Sequence, residues 1–470
     1  MRLAIVGAGW AGLSAATRAA DLGYRVTVFE ASRILGGRAR AVMSPRLKTR
    51  IDNGQHIMLG AYDATFALMK RLGVDTSKTL QHETLVFESA DGSFRLALPR
   101  LPAPFHLAMA LLGARGLFVR DKIELARILR RLQKDGWHTP PGATVQQWLD
   151  RHGQSARVRA LFWTPLCVAA LNTPVNTACA QLFANVLRDS LGAAPEACDV
   201  VLSRVDLSAL WPDQVQNLRP ATAGGHIEIR RGCPVRHLAL NTHPADTNAA
   251  TGAPHSVSID GEVFDGVIIA ANAPSARRLL AQLPVKPALA AARAALLQSL
   301  SAFQYVPIAT VTLQLEQSWT LPRSMYLLHE NRRARHFGQW LFNCPAFMVD
   351  ASAPLLQIVI SDAADALAAG EQELIRGLQD QLRMQTQRFG PMPAIRAWEL
   401  IAEKRATFAA TPGLARPGAS TPWAGVWLAG DWTDTGYPAV LEGAVRSGHE
   451  AVMAMHQASA GAGASSARRA

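Results

Sequence analysis

The stretch LAIVGAGWAGLSAATRAADLGYRVTVFE, residues 3–30, decides the fold of this chain. An apolar strand ends at Val6, an Ala-rich helix follows, and a second strand ends at Glu30. The turn between the first strand and the helix carries Gly7, Gly9 and Gly12. Because a G-x-G-x-x-G turn in this context is typical of dinucleotide-binding βαβ units, the stretch predicts such a unit.

Each part of this motif has a physical role. The first glycine permits a tight turn, the second lets the backbone approach a pyrophosphate, and the third lets helix and strand pack closely. The helix opens with Trp10 and Ala11, whose amides can bind phosphate oxygens. Glu30 lies 18 residues beyond Gly12, where a carboxylate can accept hydrogen bonds from ribose hydroxyls.

Composition narrows the classes of partner. With 470 residues the chain is too long for one core, and two or three domains are expected. The net charge of +12 and the pI near 10.0 favour an anionic partner. The sequence has no zinc-finger spacing or RNA-binding signature, and its basic residues are dispersed, so nucleic acid is not expected. An anionic membrane surface fits better, and a charge excess that only aids solubility is the open alternative.

The cysteines and the apolar runs bear on location. Five cysteines without a CxxC pair indicate reduced thiols, with neither a disulfide framework nor a metal site. No signal peptide precedes the first strand, and no uncharged apolar run reaches the ~20 residues that span a bilayer. We therefore expect a cytoplasmic protein, either soluble or peripheral on the inner membrane.

One segment is a candidate for membrane contact. The apolar stretch LPAPFHLAMALLGARGLFV, residues 101–119, precedes a basic helical pattern that extends to Lys134. Apolar residues beside a basic helix are typical of interfacial segments that meet anionic lipid. An ordinary core helix with a solvated charged neighbour remains the alternative.

The domains are expected to be interleaved along the chain. Turns at Asp91-Gly92 and Asp260-Gly261 predict two hairpins, and residues 458–470 are of low complexity and expected to be disordered. The nucleotide-binding domain is expected to comprise residues 1–95, 221–290 and 416–457, with a helical, membrane-facing substrate region at 96–220 and a substrate domain at 291–415.

Two further motifs identify a family resemblance. Glu30 and Ala31 are followed at the expected spacing by Gly36, Gly37 and Arg38, and AGDWTDTGYPAVLEGAVRSG closes the chain's globular part. Both resemble the flavoprotein amine oxidase and phytoene desaturase superfamily. The resemblance implies bound FAD and an α/β fold, in which a Rossmann-like FAD-binding domain is interleaved with a mixed sheet-plus-helix substrate domain. It also implies that Arg38 approaches the FAD phosphates, for which a guanidinium fork is suited.

The resemblance implies further cofactor contacts, while the cysteine spacing already argues against a metal. Val235 stands where the family's adenine-contacting valine is expected. The resemblance also implies that the IDNGQH string, residues 51–56, brings Gly54 and Gln55 beside the isoalloxazine. The remaining contacts lie in the closing signature: Gly430 and Asp431 near the ribityl chain, and Tyr437, Pro438 and Ala439 at a helix N-terminus aimed at the flavin. Pro438 suits the first position of that helix.

Three less common strings resemble the hydroxysqualene dehydroxylase branch of the superfamily. They are residues 50–62, 162–174 and 403–417. The branch implies reductive conversion of hydroxysqualene to squalene, with a long-chain isoprenoid as substrate and an electron donor that the sequence does not identify. An oxidative polyene desaturase, an amine oxidase and a non-enzymatic isoprenoid carrier are the alternatives, and retention of Glu30, Arg38 and Asp431 argues against the carrier.

Candidate catalytic residues follow from position and chemistry. His56 is the first candidate for the proton donor, because histidine titrates near neutral pH, although it could instead only hydrogen-bond the cofactor or backbone. Lys404 could hold a water against the flavin, or could pair with Glu403 on the surface. Asp52 is expected to brace its turn.

Other side chains could line the substrate path. Asn172 could contact the substrate hydroxyl or cap the turn before Pro174. Aromatic rings that could line a hydrocarbon tunnel, or equally belong to the core, are Phe162, Trp163, Trp340 and Phe342.

Overall fold

The computed structural model describes residues 1–101, 105–241, 256–284, 286–349 and 353–467, the last seven by backbone alone. The strands are β1 Arg2–Val6, β2 Arg25–Glu30, β3 Ala41–Ser44, β4 Thr49–Asp52, β5 Met58–Leu59, β6 Leu80–Glu83, β7 Val86–Glu88, β8 Arg95–Ala97, β9 Val200–Ser203, β10 His226–Arg231, β11 Leu238–Asn241, β12 Ser256–Ile259, β13 Glu262–Phe264, β14 Gly266–Ile269, β15 Tyr305–Leu315, β16 Met325–Leu327, β17 Trp340–Asn343, β18 Leu355–Ser361, β19 Ile395–Phe408 and β20 Val426–Leu428.

The helices are α1 Trp10–Asp21, α2 Asp63–Arg71, α3 Thr76–Thr79, α4 Phe105–Gly113, α5 Val119–Lys134, α6 Val145–Arg151, α7 Ala156–Val158, α8 Thr164–Leu171, α9 Ala180–Asp189, α10 Leu207–Leu210, α11 Ala273–Leu280, α12 Ala290–Ser301, α13 Ala364–Ala368, α14 Glu371–Gln385 and α15 Leu441–Ala467. A π-helical turn, Arg159–Trp163, leads into α8.

The first sheet is parallel throughout, with strand order β10-β2-β1-β14-β20. Val6 lies beside Phe29 on one neighbouring strand and beside Ile269 on the other. The carboxyl ends of the strands therefore meet at one edge, which is where open α/β sheets bind ligands. Since the strands come from three separated parts of the chain, the nucleotide-binding domain is built discontinuously.

Two helices cover one face of this sheet at close range. An added Cβ on Gly12 would lie 1.9 Å from the Gly7 carbonyl oxygen, and one on Gly448 of α15 would lie 2.3 Å from the Ala11 carbonyl oxygen. The Ser14 hydroxyl donates to the Val445 carbonyl at 2.9 Å and joins α1 to α15. Glycine at these positions is required by the close approach of backbones.

The second sheet is antiparallel, with order β16-β17-β18-β15-β19. Strand β15, between β18 and β19, contains Pro307, which has no N–H to donate, and its pairing with β19 is irregular between Val306 and Ile308. Buried residues of α14, among them Leu374 and Leu378, pack on one face of this sheet. The α/β two-domain fold class is confirmed.

The structure corrects two expectations about the end of the chain. The last helix begins at Leu441, three residues after Pro438, so Pro438 is not its first residue. The same helix continues to Ala467, whereas residues 458–470 were expected to be disordered. The alanines of this segment favour helix, and the helix is already nucleated by its packing on α1. Residues 468–470 lie outside the described part.

The expected hairpins are both present. β7 pairs with β8 around the Asp91-Gly92 turn, and β12 pairs with β13 around the Asp260-Gly261 turn. Asp260 and Gly261 both have positive φ, at 47° and 93°, as two-residue hairpin turns of type I′ require. The five cysteines form no disulfide.

Candidate functional site

The glycine-rich turn forms a cradle at the carboxyl edge of the parallel sheet. Gly7 has a φ of +106°, and an added Cβ would lie 2.8 Å from the Ala270 carbonyl oxygen. Within the described chain, the amides of Trp10, Ala11 and Gly12 at the start of α1 have no protein acceptor. Free amides at a helix N-terminus are suited to bind phosphate oxygens.

Trp10 contributes only its backbone to this cradle. Its side chain is buried, donates from Nε1 to the Ala39 carbonyl at 3.3 Å, and packs edge-on against Trp211 with ring centroids 4.8 Å apart. Ala11 is buried in the same core. Of these two predicted cofactor residues, only the backbone amides are therefore left free at the cradle in the described structure.

Glu30 ends the second strand beside the cradle. Its carboxylate accepts hydrogen bonds from the Ala8 amide at 2.6 Å and from the Ser32 amide at 2.7 Å. Its carbonyl accepts from the Cys233 amide at 2.8 Å, which holds the loop that carries buried Val235 next to this strand end. The structure thus brings together the two residues predicted to contact ribose and adenine. Ala31, the next residue, is exposed.

The GlyGlyArg motif lies directly against the cradle. Gly9 and Gly36 form an isolated parallel bridge, and an added Cβ on Gly37 would lie 3.0 Å from the Gly9 Cα. Arg38 donates to the Asp431 carboxylate at 2.7 Å and to the Ala406 carbonyl at 2.5 Å. The Asp431 charge helps to raise the pKa of Arg38 against the opposing effect of burial. Two predicted cofactor contacts, distant in sequence, are therefore in direct contact.

Arg416 organises the loop of the closing signature and was not singled out in the sequence. Its guanidinium donates to carbonyl oxygens of Asp431, Thr433 and Tyr437, the first at 3.0 Å and the last at 2.5 Å. It also lies 4.8 Å from the Phe408 ring centroid. Burial lowers its pKa from the ordinary value. The sequence signal that could have identified Arg416 is an arginine shortly before a loop that forms neither helix nor strand, because the backbone carbonyls of such a loop need hydrogen-bond donors.

Helix α9 fixes the outer side of the same loop. Asn185 donates to the Gly436 carbonyl at 2.8 Å, and the Tyr437 hydroxyl donates to Asp189 at 2.7 Å. Burial, with the Asp189 carboxylate, raises the pKa of Tyr437 to about 12. Gly430, whose φ is +149°, opens the loop, while Pro438 and Ala439 stand just before the helix.

The loop at residues 53–56 spans the gap between the two sheets. Asn53 donates to the Arg38 carbonyl at 3.1 Å, and an added Cβ on Gly54 would lie 3.4 Å from the Thr310 hydroxyl of the second sheet. His56 Nδ1 lies 2.8 Å from the Gly54 carbonyl, so Nδ1 carries the proton and Nε2 is left as an acceptor when the ring is neutral. Gln55 is half-buried in the same loop.

The electrostatics of His56 oppose a charged ring. Burial lowers the pKa of His56 below its ordinary value, and the nearby Arg38 charge lowers this pKa further. A neutral ring with its proton committed to Gly54 is the form favoured at neutral pH. To donate a proton from Nε2, His56 must first be protonated there.

Lys404 is exposed on β19 and, among the described residues, forms no ion pair with Glu403 or any other side chain. The charge of its neighbour Glu403 contributes to the raised pKa of Arg38, and the charge of Arg405 acts to lower the pKa of Tyr305. The strand therefore ends next to the site. No hydrogen bond joins Lys404 to His56 in the described structure.

Tyr305 is a site residue that sequence analysis missed. Its buried hydroxyl has no hydrogen bond of good geometry among the described residues, although the Ala273 amide lies close enough to lower its pKa. Burial and the Asp431 charge outweigh this effect and raise the pKa. A buried hydroxyl without a partner beside Arg38 and Asp431 is consistent with a missing polar ligand. The cradle and this hydroxyl both fit a bound dinucleotide.

Other predicted residues have structural roles. Asp52 accepts from the Leu207 amide at 2.8 Å and so braces its turn, and burial raises its pKa to about 7. Asn172 ends α8 with a φ of 46°, donates to Val306 and Thr407, and accepts from the Asp362 amide. These bonds favour the cap over a substrate contact.

The four aromatic residues proposed for a tunnel are all buried in the largest core cluster. Phe162 packs against Trp163 with centroids 4.9 Å apart and against Phe87 at 5.5 Å, and Phe87 also contacts Trp340 at 5.9 Å. Each ring meets its neighbour at an inclined angle, as core aromatics do. These contacts are those of a core. Phe342 belongs to the same cluster.

The parallel sheet, its glycine cradle and the carboxylate at the second strand end define a dinucleotide-binding protein of the Rossmann type. The chain belongs to the family described as flavin containing amine oxidoreductase, whose profile matches residues 10–456. It is an FAD-dependent oxidoreductase. No group of three or more metal-ligating side chains occurs among the described residues, and no described helix is both long and apolar enough to cross a bilayer.

The chain is similar over most of its length to several known proteins. The hydroxysqualene dehydroxylase of Zymomonas mobilis is 27% identical over 95% of this chain and 97% of its own, and that of Rhodopseudomonas palustris is 28% identical over 95% and 96%. The chloroplastic/chromoplastic zeta-carotene desaturase of Arabidopsis thaliana is 23% identical over 96% of this chain and 84% of its own. An oxidoreductase from Methanosarcina mazei shares the fold, with a TM-score of 0.70 at 16% identity over 97% of this chain and all of its own.

Proposed function

We propose that this protein removes the hydroxyl group of hydroxysqualene reductively and releases squalene and water. The similarity to hydroxysqualene dehydroxylases along 95% of the chain carries the proposal. FAD bound in its reduced form would supply the hydride that replaces the hydroxyl, and the hydroxyl would leave as water after it accepts a proton. The proposed setting is the cytoplasm, with an electron donor still to be identified.

The residues of this chain would hold and orient the cofactor. The amides of Trp10, Ala11 and Gly12 would hold the diphosphate, and the Glu30 carboxylate would accept hydrogen bonds from a ribose. Arg38 can exchange its pair with Asp431 for phosphate oxygens, which would free the Asp431 carboxylate for hydroxyl groups. Arg416 would keep the loop in register while these contacts form.

His56 is our candidate for the proton donor. Since burial and Arg38 lower its pKa, the protonated fraction grows only as the pH falls below the ordinary value for histidine. Product formation in wild type should therefore rise toward acid pH, and His56→Gln should flatten this profile. Lys404→Gln tests Lys404, the second candidate for a catalytic residue, in the same assay. A pH profile unchanged in His56→Gln would remove His56 from this role.

An anaerobic single turnover tests the reaction itself. The purified holoprotein is reduced chemically, hydroxysqualene is added, and flavin reoxidation is followed by absorbance while the lipid is extracted and analysed. We expect squalene in a one-to-one ratio to flavin reoxidised. Flavin that stays reduced, with hydroxysqualene recovered unchanged, would overturn the proposal.

Similarity to zeta-carotene desaturase favours one further candidate, an oxidative polyene desaturase. That reaction would start from oxidised flavin and a polyene, and would leave the flavin reduced. Mixing the oxidised holoprotein with phytoene or squalene under anaerobic conditions distinguishes the two candidates. Bleaching of the flavin with formation of a more unsaturated lipid would support the desaturase.

A further inference from the structure

Large exposed apolar side chains are concentrated in one segment. Fourteen such side chains are exposed in the described chain, and half of them lie between residues 101 and 123. We call them the apolar patch: Leu101, Phe105, Met109, Leu112, Phe118, Val119 and Ile123. Single exposed apolar residues are ordinary, whereas a group of them marks an interaction surface.

Helix α4 presents its part of the patch on one face. Phe105, Met109 and Leu112 follow each other at spacings of four and three residues, which places them on the same side of a helix. They are 64%, 50% and 71% exposed, while Ala110 and Leu111 on the other side are buried. One face of α4 therefore packs on the core, and the apolar patch lies on the opposite face, where the core does not cover it.

The start of α5 continues the same surface. The Lys122 ammonium donates to the Leu112 carbonyl at 3.0 Å, so the beginning of α5 lies against the end of α4. Phe118, which is 66% exposed, lies under the Arg157 guanidinium at 4.4 Å. The apolar side chains of the two helices are thus neighbours, with basic groups at their edge.

Further along α5 the exposed stripe becomes cationic. Val119 and Ile123 are followed at helical spacing by Arg127, Arg130 and Lys134, all exposed. These last three residues, the cationic stripe, form no ion pair with any residue that the structure describes. The stripe therefore offers three uncompensated positive charges beside the apolar patch.

The acidic side chains of these two helices are buried or paired. The stretch 105–134 contains seven basic and two acidic side chains, a net charge of +5. Asp121 is buried and accepts from the Ser155 hydroxyl, and Glu124 accepts from the Ser155 amide and from Arg120. The acidic side chains of this stretch are thus buried or half-buried, and the exposed Asp135 that follows it pairs with Arg131, so the unpaired exposed charge of the two helices is positive.

We propose that the apolar patch and the cationic stripe dock this protein on an anionic lipid bilayer. Charge complementarity selects this partner, because apolar side chains enter the headgroup region while the adjoining cations meet anionic headgroups. Residues 102–104 lie outside the described part and carry no weight here. The proposal does not depend on the reaction proposed above, since vesicle binding is measured without turnover.

Vesicle sedimentation with the full holoprotein tests the proposal. Binding is compared on phosphatidylcholine vesicles with and without phosphatidylglycerol. The charge variant Arg127→Gln/Arg130→Gln/Lys134→Gln should bind the anionic vesicles about a hundredfold more weakly, since each of the three cations near such a surface contributes about fivefold. The apolar variant Leu112→Gln/Phe118→Gln should lose binding to both kinds of vesicle. Flavin absorbance and thermal melting show that each variant is folded.

Matched variants elsewhere control for charge and hydrophobicity. The charge control is Arg277→Gln/Lys286→Gln/Arg333→Gln, and the apolar control is Met43→Gln/Met384→Gln, all at exposed positions. Both controls should bind like wild type. Wild-type protein that ignores anionic vesicles, or controls that lose as much binding as the test variants, would overturn the proposal. Light scattering that shows an oligomer dissociated by the apolar variant would instead assign the patch to a second copy.

Discussion

The cradle at the edge of the parallel sheet and the aromatic cluster around Trp163 differ in how their polar groups are hydrogen-bonded. Among the described residues, the cradle amides at the start of α1 have no acceptor, and the Tyr305 hydroxyl beside Arg38 and Asp431 has no hydrogen-bond partner. In the cluster, rings pack edge to face and the Trp163 Nε1 donates to Gln154 at 2.8 Å. The first region leaves its polar groups unsatisfied within the chain, and the second satisfies them.

This difference separates binding from packing. Unsatisfied buried polar groups cost free energy, so they persist where a ligand completes them. Polar residues that are fully paired, such as Asn172, contribute to stability instead. Four substitutions test whether the two regions differ in this way.

Gly12→Val should have the largest effect. A side chain at this position would overlap the Gly7 carbonyl, because even a Cβ would lie 1.9 Å from it. We expect no soluble holoprotein, measured by flavin absorbance after purification. Gly418→Val is the matched control, since no atom lies within 4 Å of a Cβ there. Normal flavin content in Gly12→Val would contradict the close-packing role.

Asn172→Ala should lower the free energy of unfolding by about 2–4 kcal/mol, because three hydrogen bonds of a buried side chain are lost and alanine is strained in the left-handed conformation. Denaturant unfolding of the holoprotein measures this change. The flavin content of folded protein should be unchanged. Asn172→Gly, which keeps the left-handed backbone accessible, should recover part of the loss. Unchanged stability together with reduced turnover would instead indicate that Asn172 contacts the substrate hydroxyl.

Glu30→Ala should weaken FAD binding by about tenfold to a hundredfold, since the carboxylate orders the Ala8 amide and is placed for a ribose. Titration of the apoprotein with FAD, followed by flavin fluorescence, measures the affinity. Glu30→Gln retains an acceptor and should lose less. Full FAD occupancy in Glu30→Ala after extensive dialysis would show that the ribose contact lies elsewhere.

Tyr305→Phe should have the smallest effect, about fivefold weaker FAD binding, which is the typical contribution of one hydrogen bond. The apoprotein itself should be as stable as wild type or slightly more stable, because a buried hydroxyl without a partner is removed. Tyr326→Phe, in the second sheet, is the matched control. Equal FAD affinity in wild type and Tyr305→Phe would show that the hydroxyl does not face the cofactor.

The sequence predicted the nucleotide-binding unit well because its requirements are local. Gly7 needs a positive φ, Gly12 needs the absence of a Cβ, and Glu30 ends a strand at fixed distance along the chain. Each requirement restricts the residue type at one position, so it is visible in the sequence. The start of the last helix was misplaced because Pro438 is favourable both at the first helical position and in the preceding turn.

Tertiary structure alone decided the contacts between distant segments. Arg38 pairs with Asp431, which lies 393 residues away in sequence, Arg416 binds carbonyl groups of the closing loop, and the Tyr305 hydroxyl is buried near the charges of Arg38 and Asp431. Residue type does not reveal these roles, since arginine and tyrosine are common on surfaces and in cores alike. They follow from which strand ends meet at one edge, and that is fixed by the packing of the whole chain.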